Sequence, residues 1–158
     1  MSQEYPNGLY RTTLPFPEQP TAVPAQRLIR IVNTAEHEHP VVQTPTGVTD
    51  NVWTFGTQGF LAKDAAWLKA LVQLPQMGFY VVKETIELGQ GSSLPPALLV
   101  QLSYTQEGKA VIFPGELTQG NQINMKTKGA LLGDLQLDSL ELCTFRLLAP
   151  SAKAAPKA

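Results

Sequence analysis

The side chains best placed to do chemistry stand together at Glu36-His37-Glu38-His39-Pro40. In extended backbone His37 and His39 share one side and the two glutamates the other. Two imidazoles begin a metal site, but such a site takes three or four ligands. The chain has no further histidine and a single cysteine, Cys143, so carboxylates would have to complete it. A solvated polar loop stopped by Pro40 accounts for the same residues with fewer requirements. A pH response through the two imidazoles finds no supporting residue elsewhere in the chain. We therefore assign no metal site.

Other catalytic patterns are incomplete. Asp134 and Asp138 are four apart, ordinary surface spacing on an alternating strand. Gly89-Gln90-Gly91-Ser92-Ser93 begins like a dinucleotide turn but lacks a third glycine and a following helix. Neither the nucleophile elbow Gly-x-Ser-x-Gly nor a phosphate loop ending in Gly-Lys-Ser/Thr occurs. Cys143 lies in a strand-like segment and reads as a small buried hydrophobe rather than a nucleophile. The expectation is a non-enzymatic protein without a cofactor. Trp53 and Phe55 recur at period two and would share a strand face. Such a pair, with Tyr80 or Tyr104, could stack bases. It serves more often as a core or interface anchor.

These residues must be held by strands. The stretch Gly78–Phe145 alternates with period two between Gly, Pro and Asn turns. It places Tyr80, Val82, Ile86 and Leu88 on one face, then Leu98, Val100, Leu102 and Tyr104 on one face of the next run. Glu107-Gly108 reads as a hairpin turn, and Pro114-Gly115 as the end of the strand that follows. Gln122–Thr127 alternates again, and Gly129 and Gly133 bracket a short link. Leu135 and Leu137 are out of phase with Leu140 and Leu142, which calls for a bulge or bend at Asp138-Ser139. Upstream, Arg27–Asn33 is a strand, Val41–Gly47 a short strand or loop, and Val48–Gly56 another strand. Asp64 caps a helix that runs to Leu74 and stops at Pro75, with Ala65, Leu68, Leu71 and Val72 at helical spacing.

The first 25 residues carry Pro6, Pro15, Pro17, Pro20 and Pro24 among Tyr5, Leu9, Tyr10, Leu14 and Phe16. This proline density argues against helix or central strand and for an extended arm. Its apolar side chains favour an arm lying on its own domain or on a neighbour's. Residues 149–158 read as a small, Pro-broken disordered tail. The organisation expected is an arm over 1–25, one β domain over 26–148, and the tail. The fold class is mainly β: an antiparallel β-sandwich or jelly-roll-like barrel with one inserted α-helix near 64–74.

Charge narrows function further. The chain's net charge is −1, which gives nucleic acid or an acidic membrane no electrostatic hold. Charged residues make up 16%, against roughly 25% in an average soluble domain, a shortage shared with interface cores. The N-terminus has no basic start or apolar core, so no signal peptide is read there, and no apolar run approaches a membrane span. A cytoplasmic or virion location is the expectation.

The apolar arm, the compact body from Arg27 to Leu148 and the Ala/Pro/Lys tail together resemble the layout of the single-jelly-roll coat proteins of tailless icosahedral phages. The resemblance covers most of the chain as a layout and brings over no site residue. It implies arms and loops that tie subunits into a shell. The near-zero charge departs from coats that grip a genome and suits a shell whose inner face meets protein or lipid. The function expected is a structural assembly protein, a viral capsid protein in its narrowest form, that self-associates or packs with a partner protein. Its candidate interface residues are Tyr5, Leu9, Tyr10, Leu14, Phe16, Trp53 and Phe55. The alternative is a β-barrel binding single-stranded nucleic acid or another ligand.

Overall fold

A computed structural model describes residues 4–144, so the expected tail lies outside them. The chain is mainly β, with short antiparallel strands in two principal sheets and two small hairpins. In order these are β1 (Gly8–Arg11), β2 (Leu28–Val32), β3 (Val41–Gln43), β4 (Pro45–Thr49), β5 (Val52–Phe55) and β6 (Phe60–Leu61). Helix α1 (Ala65–Lys69) and β7 (Val72–Leu74) follow, then β8 (Gly78–Val82), β9 (Ile86–Gly89), β10 (Ser92–Leu94) and β11 (Leu99–Tyr104). The last are β12 (Ala110–Leu117), β13 (Ile123–Met125), β14 (Ala130–Leu132), a 3-10 helix (Asp134–Ser139) and β15 (Leu140–Leu142).

The N-terminal half builds one sheet, in the order β6-β3-β2-β1-β7. The C-terminal half builds the other, β13-β12-β11-β8-β15, with β14 also paired to β12. The two sheets form a sandwich. Their strands do not alternate between sheets along the chain, as jelly-roll winding would have them; the passage from one to the other is at Pro75–Met77.

The first sheet is apolar on both faces. Leu9, Leu28 and Leu74 join Tyr80, Val82, Val100, Leu102, Tyr104 and Ile112 of the second sheet in one buried cluster. Tyr10, Ile29, Ile31 and Val42 point the other way and meet Phe16, Val23, Trp67 and Leu68. That second cluster is closed by the 12–27 loop and α1. The Phe16 ring lies edge-on to Trp67 at 4.8 Å, and the Trp67 indole N–H donates to the Leu14 carbonyl at 2.9 Å.

The N-terminal segment is therefore not an arm. Strand β1 is an inner strand, paired with β2 through Leu9↔Arg30 and with β7 through Leu9↔Leu74. Its prolines flank Gly8–Arg11 rather than interrupt it, so no ladder N–H is lost. Fully buried Thr12 ties the following loop, its hydroxyl donating to the Pro24 carbonyl at 2.7 Å and accepting from the Arg27 N–H at 2.9 Å.

Several expected boundaries move for local reasons. The helix capped by Asp64, whose carboxylate accepts the Trp67 N–H at 2.8 Å, ends at Lys69 instead of Leu74. Pro75 disfavours helical backbone at Leu74, and β-branched Val72 begins the strand that completes the sheet beside β1. The expected strand Val48–Gly56 is split into the hairpin β4–β5 by Asp50 and Asn51, both at positive φ (51° and 65°). These are residue types that tolerate that conformation. Phe79–Leu88 likewise breaks after Val82 into β8 and β9.

Strand β12 passes through Pro114-Gly115 to Leu117. The Pro114 carbonyl accepts the Lys126 N–H at 2.9 Å, on the β13 side. The missing proline N–H points the same way, so no bond to β11 is lost. Between Gly129 and Gly133 the link is itself a strand, β14. The phase change before Leu140 is a 3-10 turn over Asp134–Ser139, so Asp134 and Asp138 are not on an alternating strand.

Deleting residues 1–25 removes an inner strand and, with Tyr10, Phe16 and Val23, a third of the second buried cluster. The truncated chain is expected to lose cooperative thermal unfolding by circular dichroism. A truncated chain melting at the full-length midpoint would show that β1 is dispensable.

Candidate functional site

Sequence candidates for chemistry are scattered. Glu36, His37 and Glu38 are exposed in the loop between β2 and β3, and His39 is half-buried. Among the described residues no group of three or more His, Cys, Asp or Glu could hold a metal ion. Cys143 is half-buried, and burial pushes its thiol up, away from thiolate. Tyr80 and Tyr104 are not stacking platforms. Both rings are buried, and their hydroxyls donate to the carbonyls of Gln76 and Pro75 at 2.7 Å each. Desolvation raises both phenols, Tyr104 most strongly. These are structural tyrosines anchoring the passage between sheets.

Asp134 has a partner that the sequence does not announce. Arg11 of β1 reaches it with two nitrogens, at 2.6 and 3.1 Å, and also donates to the Gly108 carbonyl at 3.2 Å. Gly108 lies at φ +78°, and a Cβ there would stand 2.8 Å from the Arg11 side chain. The turn expected at Glu107-Gly108 thus needs glycine for conformation and for space. The hydrogen bond to Arg11 holds the Asp134 carboxyl below its ordinary value and the guanidinium above its own. This bidentate pair clamps the first sheet to the C-terminal half.

The seven candidate interface residues divide between the two faces of the first sheet. Tyr10 and Phe16 are enclosed in the cluster under α1, and Tyr5 packs against it. Leu14 is exposed. Tyr10 and Phe16 are thus closed to a neighbour, and Tyr5 is half-buried. Leu9, Trp53 and Phe55 come together on the opposite face, lining a groove of about 620 Å³. There the sheet register sets Gln43, Arg30, Leu9 and Leu74 in one row across β3, β2, β1 and β7. Arg30 donates Nε to Gln43 Oε1 at 2.8 Å, and its guanidinium lies 5.1 Å from the centre of the Phe55 ring. The Trp53 indole N–H donates to the Tyr104 carbonyl at 2.6 Å. From this groove the β4–β5 hairpin extends to the second sheet, where Asn51 donates to Gln101 Oε1 at 3.2 Å and Gln101 Nε2 donates to the Asp50 carbonyl at 3.0 Å.

No family model, curated protein or solved structure matches this chain. Among the described residues no helix is long and apolar enough to cross a membrane.

A further set of exposed apolar residues is one that the inward-facing alternation does not reveal. Most odd-numbered positions of the second sheet are also apolar, Gln101, Ser103 and Glu141 excepted, and they face outward. Leu117 pairs directly with Ile123, Val111 with Leu131, and Phe79 flanks Gln101. Leu117, Ile123, Leu131 and Phe79 are 68%, 63%, 61% and 41% exposed. The signal was present in Phe79, Val81, Val111, Phe113 and Leu117, apolar where a solvated face should be polar. Part of this face is covered from within: a Cβ on Gly129 would fall 2.4 Å from Val111 and 2.8 Å from Phe113, so the chain lies directly on those side chains. Beside it, Val48, Phe79, Gln101 and Met125 help line a concavity of about 560 Å³.

The Arg11–Asp134 clamp makes a pH-dependent contribution. A carboxyl whose folded pKa lies below its unfolded value stabilises the fold above the unfolded value, and that stabilisation is lost as pH falls through the folded one. Asp134 is half exposed, which limits the effect to less than about 1 kcal/mol. Urea unfolding should find Asp134→Asn less stable than the parent at neutral pH. The difference should close on acidification below the ordinary aspartate value of 3.8. A pH-independent difference would assign the loss to packing instead.

Proposed function

We propose that this protein is a non-enzymatic structural subunit that associates with copies of itself through the outer face of its second sheet. The observation that carries the reading is the exposed apolar set Phe79, Leu117, Ile123 and Leu131 on one face of the sandwich. These side chains come from β8, β12, β13 and β14, and large apolar residues exposed together on a sheet face are what a partner surface covers. Half-buried Val81, Leu99, Val111, Phe113 and Met125 on the same face extend the set toward the roughly 800 Å² per partner of a stable interface. A net charge of −1 sets little repulsion between copies.

A viral coat is the narrowest form of this reading. Its support is the low charge density and the uncovered face. The winding of the sheets lends it none, and the segment expected to tie subunits together is spent on the protein's own core. A nucleic-acid role has less behind it, because two of its four stacking aromatics are enclosed.

Light scattering over a concentration series tests the reading. The parent is expected to exceed its monomer mass of 17.2 kDa, and Leu117→Ser combined with Ile123→Ser to return it to the monomer while the unfolding midpoint changes little. A parent that stays monomeric at every concentration would defeat the proposal.

A further inference from the structure

We infer that the groove beside β1 and β2 is a binding site for a small amphipathic anion, a carboxylate carried on an aromatic or aliphatic body. Its size, about 620 Å³, falls within the usual range of ligand pockets. Its floor is graded by the register of the sheet. Leu9 and Leu74 supply an apolar end, and Arg30, directly opposite Leu9, supplies a cation at the other. Trp53, Phe55 and Met77 form apolar walls.

Two features set this groove apart from a passive cleft. Its polar and aromatic groups are already oriented: Trp53 by its bond to the Tyr104 carbonyl, Arg30 by Gln43 and by the Phe55 ring. Ligand binding then has little side-chain freedom left to remove. The second feature is charge. Arg30 is the only charged residue lining the groove, and among the described residues its terminal Nη nitrogens make no hydrogen bond. Arg11 offers the contrast, because its guanidinium is taken up by Asp134. A planar fork of free N–H donors beside apolar walls matches a carboxylate in geometry and sign. Neutral apolar molecules would use the walls and leave the fork solvated.

Isothermal calorimetry with 2-naphthoate and 2-naphthalenemethanol on the full chain tests this. The acid is expected to bind the parent with one-to-one stoichiometry and at least tenfold more tightly than the alcohol, and Arg30→Gln to bring the two to within about twofold. No saturable binding of the acid, or an unchanged preference in a folded Arg30→Gln protein, would overturn the inference. Should that variant fail to fold, amide shift mapping on the parent decides. Shifts with naphthoate confined to Gly8, Leu9, Trp53 and Met77 support the site, and shifts centred elsewhere refute it. Neither result depends on self-association, which light scattering reads separately.

Discussion

The structure depends on burying both faces of one small sheet. Strands of two to five residues supply few hydrogen bonds each, and a sheet of that size with one wet face has little to hold it together. Here β1 and β2 send Leu9 and Leu28 into the sandwich while Tyr10, Ile29 and Ile31 enter a second cluster beneath α1. The Phe16–Val23 loop and a five-residue helix are sufficient cover because they bring Phe16 and Trp67, two of the largest fully buried side chains. Aromatic rings bury much area per ordered residue. A short helix that would be unstable alone is thereby held by packing rather than by its own propensity.

The strand content was readable because it rests on local alternation. Val82, Val100, Leu102 and Tyr104 occupy the inner face that their spacing indicates. What local pattern could not supply was partnership between distant segments. Leu9 and Tyr10 look like apolar residues stranded among prolines until β2 and β7 are placed on either side of them. Val72 continues the helical spacing of Leu68 and Leu71, yet it is needed as the strand that completes the sheet beside β1. The Asp50-Asn51 turn was masked because β-branched and aromatic neighbours continue the apolar run through it. Among site residues, Trp53 and Phe55 share a face as their spacing requires, but the cation beside them comes from Arg30, on another strand.

The two sheets differ in how completely they are covered. The first has the second sheet on one side and the helix and loop on the other. The second sheet has one packed face, and among the described residues its outer face is met by the β4–β5 hairpin near Gln101, Met77 beside Ser103 and the chain around Gly129. A soluble sheet with one wet face normally shows polar residues there. This one has leucine, isoleucine and phenylalanine at the places left open, while its two central outward polar residues, Gln101 and Ser103, are the buried ones. Polarity and exposure are thus inverted across this face. Gln101 is retained inside because it fixes the hairpin tip through the Asp50 carbonyl and Asn51, whereas among the described residues Leu117 and Ile123 meet mainly each other and stay exposed.

That inversion separates the two surfaces by the kind of partner each suits. The outer face is broad and rich in exposed leucine, isoleucine and phenylalanine, so its free energy gain scales with area and asks for another protein surface. The groove is narrow, its walls are aromatic and its one charge is fixed in place, so it discriminates by shape and sign over a few atoms. Register connects them to the sequence in the same way. A one-residue slip in β12 would turn Leu117 inward and Ile112 outward, and the same slip in β2 would replace Arg30 in the groove with Ile29 or Ile31. The cores on the far sides of both sheets fix the register, and in doing so they fix which side chains remain for partners.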